Sequence, residues 1–110
     1  MRAYDSLRRR GDFARVTRRG RRSAGTHLTC FVADGRRRSR VGITVAATVG
    51  NAVVRNRTRR RMKEAARLLM KERLPTGHDL VLIGRDGTRK RSFAALQEDL
   101  RRALKKAGVR

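Results

Sequence analysis

Apolar residues recur along this chain with two periods. Leu28, Cys30 and Val32 alternate with Thr29, Phe31 and Ala33, a period of two that predicts a strand over residues 26–33 with one apolar and one mixed face. Phe31 then points away from Leu28. Val41, Ile43 and Val45 alternate in the same way with Gly42, Thr44 and Ala46. The intervening Asp34-Gly35 and the Arg36-Arg37-Arg38 run read as a basic turn, so the two strands are expected to form an antiparallel hairpin. Residues 80–83 are continuously apolar between Asp79 and Gly84, as suits a strand buried on both faces.

The other period is helical. After Gly11, residues 12–17 predict a short helix with Asp12 at or near its N-cap, closed by Gly20, and with Phe13, Val16 and Ala14 available for burial. Gly50-Asn51 opens the longest helix, which runs to about Arg73 and stops before Pro75 and Gly77. On its wheel Val54, Thr58, Met62, Ala65 and Leu69 form a core stripe, while Asn56, Arg60, Lys63 and Arg67 gather opposite. A last helix begins at Ser92, places Phe93, Leu96, Leu100, Ala103, Leu104 and Ala107 on one face, and ends at Gly108. The loop over residues 85–91 reads as basic and mobile. Without repeats or low-complexity linkers, residues 1–110 read as one domain.

Charge changes the picture. The 31 Lys and Arg against 9 Asp and Glu give a formal net charge of +22 on 110 residues, which calls for a polyanionic partner. A hydrophobic share of 38% is too high for a disordered basic tail, and 4% aromatics without Trp predict a small aliphatic core. The longest uncharged stretch, residues 41–54, is 14 residues long and falls short of the roughly 20 that span a bilayer. No apolar run follows Arg8-Arg9-Arg10, so neither a membrane segment nor a secretory signal is expected, and the cytoplasm is the expected location.

Candidate chemistry is sparse. Cys30 is the single cysteine and reads as a small apolar strand residue, while His27 and His78, each just before a strand, read as polar edge residues. No Cys/His spacing suits a metal, no Ser/His/Asp or Cys/His set suits nucleophilic catalysis, and the acids are scattered. No catalytic residue is therefore expected in the chain. The basic residues are segregated instead: residues 35–63 contain ten Lys or Arg and no acid. Within them Arg55-Asn56-Arg57-Thr58-Arg59-Arg60-Arg61 holds five Arg, whose i,i+4 repulsions cost roughly 0.2–0.5 kcal/mol each until an anion relieves them. Arginine also suits bidentate contact with phosphate, and Asn56 can bond a base edge or a sugar.

At these residues the sequence resembles the protein subunit of bacterial ribonuclease P. The stretch Arg40-Val41-Gly42-Ile43-Thr44-Val45, followed by Gly50-Asn51-Ala52-Val53-Val54-Arg55-Asn56-Arg57-Thr58-Arg59-Arg60, is similar to that family's Arg-Val-Gly strand and Arg-Asn-Arg signature helix. Gly11-Asp12-Phe13 and the apolar strand after Asp79 support it, and the similarity covers residues 7–107.

The resemblance implies an α+β fold, an α/β sandwich of order α-β-β-β-α-β-α. Its four-stranded sheet would carry a left-handed βαβ crossover, as in the ribosomal S5 domain 2-like class, with the fourth strand a short piece around Arg22-Ser23. Pattern alone would suggest a right-handed crossover. The implied function is an RNA-binding cofactor: the ribonuclease P RNA, with Mg2+, removes the 5′ leader of precursor tRNA, and the protein improves substrate binding. No cofactor bound by protein side chains and no obligate protein partner are expected.

Two RNA surfaces follow from the resemblance. The signature helix would meet the RNA subunit and the nearby leader through Arg55, Asn56, Arg57, Arg59, Arg60 and Lys63. A leader-binding cleft between the first helix and the sheet would use Phe13, Phe31 and Arg15, with base stacking on the rings. Thr17 stands where many members carry a second aromatic, and Ala47-Thr48 replaces a pair that is often Lys-Lys; the Arg36-Arg37-Arg38 run could compensate for the latter. A ribosomal protein is the alternative that composition alone leaves open, whereas a DNA-architectural protein would need a recognition helix or a minor-groove wedge.

Overall fold

A computed structural model describes residues 5–25, 27–72 and 76–108. The elements are β1 (Asp5–Ser6), α1 (Arg10–Arg19), β2 (Arg21–Ala24), β3 (Leu28–Arg38), β4 (Arg40–Val45), α2 (Ala52–Glu72), β5 (Thr76–Gly84) and α3 (Phe93–Lys106), with short 3-10 turns at Ala47–Val49 and Thr88–Lys90. The four expected strands are β2 to β5. To them the chain adds the two-residue β1, giving the sheet order β1-β4-β5-β3-β2.

The expected hairpin is absent. β5 lies between β3 and β4, antiparallel to the first and parallel to the second, with Phe31 opposite Val81 and Gly42 also opposite Val81. The reason is burial: Leu80, Val81 and Leu82 are fully buried, and only the centre of the sheet covers both sides of such a run. Nor do Asp34-Gly35 and the three arginines form a turn. β3 continues through them to Arg38, with a register shift between Asp34 and Arg38; what the side chains of Arg36-Arg37-Arg38 reach lies outside the described residues.

The period of two divides the core. On one face Leu28, Cys30, Val32, Leu80 and Leu82 join Met62, Ala65 and Leu69 of α2 and Leu96, Leu100 and Leu104 of α3. On the other, Leu7, Val16 and Val81 are buried, with Phe13, Phe31, Ala33 and Ile83 packed around them. Burial pushes the Cys30 thiol up to about 12, in line with an apolar role.

Helix ends follow local chemistry with one exception. Asn51 Oδ1 accepts from the Val54 N–H at 3.0 Å, and Ser92 Oγ accepts from the Ala95 N–H at 3.1 Å, as N-cap side chains do. Gly108 closes α3 with φ +83°. α1, however, starts at Arg10 with Arg9 as its N-cap, so Asp12 falls in the first turn. Its carboxylate is engaged elsewhere, 3.4 Å from Arg40 Nη1 and 4.0 Å from Arg15 Nη2.

Two further expectations change. His78 lies inside β5, opposite Asp34, rather than before the strand. The 85–91 loop is tied down: the buried Thr88 hydroxyl donates to the His27 carbonyl and accepts from the Arg85 N–H at 3.1 Å. Arg91 grips Asp99 of α3 through two bonds of 3.0 and 2.9 Å. Gly87, at φ +88°, passes so close to His27 that an added Cβ would lie 2.7 Å from Nδ1, which only glycine permits. Arg73 and Pro75, expected at the end of α2, lie outside the described residues.

Candidate nucleic-acid interface

The first surface is the outward side of α2. The stripe Thr58, Met62, Ala65 and Leu69 is buried and Val54 half-buried, so the helix is locked against the sheet and α3. Thr58 is accommodated because its hydroxyl donates to the Val54 carbonyl at 2.8 Å. That packing leaves Asn56, Arg57, Arg60 and Lys63 exposed and Arg55 and Arg59 half-buried on the outer side. Asn56 organises this row: its Oδ1 accepts from Arg59 Nη1 at 2.7 Å, and its backbone carbonyl lies 3.5 Å from Arg60 Nε. All six residues named from the sequence therefore lie off the buried stripe.

Arg61 separates from its neighbours. It donates from Nη1 to the Arg89 carbonyl at 3.2 Å and from Nη2 to the Arg91 carbonyl, pinning α2 to the 85–91 loop. Its place beside the core stripe explains why this arginine works inward.

The second surface lies where α1 crosses the opposite sheet face. Phe13 and Phe31 are both half-buried there around Val16 and Val81. Phe13 reaches the sheet because Gly42 has no side chain: a Cβ at Gly42 would lie 2.4 Å from Phe13 Cζ. The β2–β3 register sets the exposed Arg22 opposite Phe31, so both side chains leave the sheet on the same face. Periodicity around residues 21–24 is too short to reveal that pairing. Thr17 bonds back to its own helix, to the Phe13 and Ala14 carbonyls at 2.9 and 3.2 Å, and offers no stacking surface. Thr48 is likewise occupied, donating to Asp86 Oδ1 at 2.6 Å.

At one end of this cleft is an ion-pair network that sequence reasoning missed. Asp79 is fully buried and accepts from Arg40 Nε at 3.0 Å, from Arg40 Nη2 at 2.7 Å and from Arg15 Nη2. Gly35 makes room for it, since a Cβ there would stand 2.7 Å from Asp79 Oδ1. Burial pushes the Asp79 carboxyl upward, but hydrogen bonds from Arg40 and Arg15 outweigh burial and hold it below the ordinary carboxylate range. Arg15 thus lies beside Phe13 and Val16 on α1 with its guanidinium fixed by an acid. The available signal was an Asp immediately before the most apolar run of a strongly basic chain, because such an acid must find cations when buried.

The chain and its fold are similar to those of known proteins. The family model described as Ribonuclease P matches residues 1–108. The ribonuclease P protein component of Gluconacetobacter diazotrophicus is 56% identical over 106 residues, covering 94% of this chain and 91% of that protein. The component of Ruegeria pomeroyi is 44% identical over 108 residues, covering 91% and 83%. Among solved structures, the ribonuclease P protein of Thermotoga maritima superposes with a TM-score of 0.81 at 28% identity, over 93% of this chain and 96% of that one. The Staphylococcus aureus protein gives 0.78 at 25% identity, over 94% and 95%.

Proposed function

The chain belongs to the ribonuclease P protein family, and from that membership we propose how its two basic surfaces divide the work. As a member it is the protein subunit of an endoribonuclease whose catalytic groups reside in RNA; it binds that RNA and assists removal of the 5′ leader from precursor tRNA. The family match over residues 1–108 displaces the ribosomal alternative.

The α2 surface takes the RNA subunit. The observation that carries this reading is that Arg55, Asn56, Arg57, Arg59, Arg60 and Lys63 all lie off the buried stripe of α2, in a segment where residues 35–63 supply no acid. Phosphates are the natural counter-charge, and guanidinium forks match them in geometry. The α1 cleft takes the single-stranded leader, with Phe13 and Phe31 as stacking platforms and Arg15, held by Asp79, as a fixed cationic wall. Stacking tolerates any base, which suits a protein that must serve many precursors. Mg2+ is a requirement of the RNA subunit.

The test is reconstitution. Protein combined with ribonuclease P RNA is expected to cleave precursor tRNA at Mg2+ concentrations where the RNA alone is slow. Equal rates with and without protein would overturn the reading.

A further inference from the structure

On the sheet face away from the α1 cleft, the end of β2 and the start of β3 leave a hollow against the C-terminal half of α3. Its volume is about 480 Å³, within the range of about 300–1,000 Å³ of small-ligand sites. Leu28 and Ala103 give it an apolar floor, beside Ala24, Gly25 and His27. Ser23 also lines it, is only 5% exposed, and its Oγ has no hydrogen-bond partner. The β2–β3 register pairs Ser23 with Cys30, so it shares the face of Leu28 and Val32 and looks toward α3. A buried hydroxyl left unpaired is unfavourable and invites a ligand group that can bond it.

The rim is cationic. Lys105 and Lys106 are exposed and have no ion-pair partner among the described residues, whereas Arg102 shares Glu98 with Arg101. The single acid of the wall, Asp99, is neutralised by the two bonds from Arg91. An apolar slot with a hydroxyl in its wall and two exposed ammonium groups at its lip fits a nucleobase with its phosphate: ring on the floor, base edge at Ser23, phosphate at the lysines. An inorganic anion would leave the floor unused.

The hollow is linked to α2 through the 85–91 loop. Arg61 reaches the 85–91 loop, His27 Nδ1 lies 3.4 Å from the Asp86 carbonyl, and Arg91 reaches Asp99, so a basic path through Arg89 and Lys90, both exposed, leads from the signature row to the rim. The leader cleft lies across the sheet. We propose that this hollow is a nucleotide pocket that receives an unpaired nucleotide of the RNA subunit lying along α2, an inference that rests on the α2 assignment above.

The test compares three variants for affinity to transcribed ribonuclease P RNA: Ala103→Phe, which fills the hollow from its α3 floor; Lys105→Ala with Lys106→Ala; and Arg59→Ala with Arg60→Ala. The first two are expected to weaken binding about tenfold, the scale of one lost base stack, while the holoenzyme's preference for precursor over mature tRNA stays constant. A benzophenone amino acid at position 106 of the otherwise native holoenzyme is expected to crosslink one unpaired nucleotide of the RNA subunit. Full affinity in both pocket variants, with loss only in the Arg59/Arg60 variant, overturns the pocket and leaves the α2 reading standing. Full affinity in all three overturns both. A crosslink to the precursor leader overturns the choice of RNA. Should Ala103→Phe fail to fold by circular dichroism, the lysine pair and the crosslink decide.

Discussion

The Phe13 ring stands where a side chain on Gly42 would be: a Cβ built on Gly42 lies 2.4 Å from Phe13 Cζ and 2.9 Å from Cε2. The first helix and the Arg-Val-Gly strand are therefore coupled through one residue's missing side chain. Gly42→Ala is expected to destabilise the protein by roughly 1–3 kcal/mol, the usual cost of overpacking, and that cost should largely vanish in a Phe13→Ala background. A double-mutant cycle by urea denaturation measures the coupling. Additive losses would show that the ring moves aside freely.

Arg59 and Arg60 sit off the buried stripe of α2, and their described bonds go to Asn56. Replacing both by Ala is expected to leave the melting temperature nearly unchanged and to weaken binding to the RNA subunit. The slope of log affinity against log salt should flatten by roughly 1.4–1.8 if each arginine neutralises one phosphate. Filter binding across a salt series checks this, and an unchanged slope removes these residues from the interface.

Phe31 is half-buried beside Val81, so stability and function are expected to separate. Phe31→Ala should cost well under the roughly 3–5 kcal/mol of a fully buried Phe truncation. It should weaken holoenzyme binding to precursor tRNA by about 5- to 150-fold, the value of one stacked base, with little effect on mature tRNA. Paired affinities beside thermal melts decide the matter: a large drop in melting temperature, or equal losses for both tRNAs, would make the ring a core residue only.

The depressed Asp79 carboxyl sets a pH dependence. Its folded pKa lies below the unfolded value of about 3.9, so its contribution is complete above that value and is lost as pH falls through it toward the folded pKa. At neutral pH, Asp79→Asn is expected to cost roughly 1.5–3 kcal/mol, the worth of charged hydrogen bonds. The gap from wild type should narrow below about pH 4. Urea titrations at several pH values measure it, and a constant gap would mean that the carboxylate's charge contributes nothing.

Much of the candidate site was legible because it lies on single elements. Strand alternation alone separates Phe31 from Leu28, Cys30 and Val32, and the 3.6-residue period alone turns Asn56 and Arg60 away from Met62. The network around Asp79 was not legible. Its partners Arg15 and Arg40 lie 64 and 39 residues away in sequence, and no local pattern tells which of 31 basic residues a buried acid will meet. The role of Arg61 was hidden for the same reason, since its acceptors are backbone carbonyls of a distant loop.

The sequence by itself determined the type of the three helices and of β3, β4 and β5, the two faces of β3, the outward side of α2 and the need for a polyanion, but neither the continuation of β3 to Arg38 nor β2. These depend on side-chain period, caps and charge density, all of which act within a few residues. Tertiary structure decided which strands are neighbours. Only three-dimensional packing could place β5 between β3 and β4, because covering both sides of Leu80, Val81 and Leu82 outweighs the short connection that would have joined a hairpin. The same packing laid Phe13 on Gly42 and brought Arg22 beside Phe31.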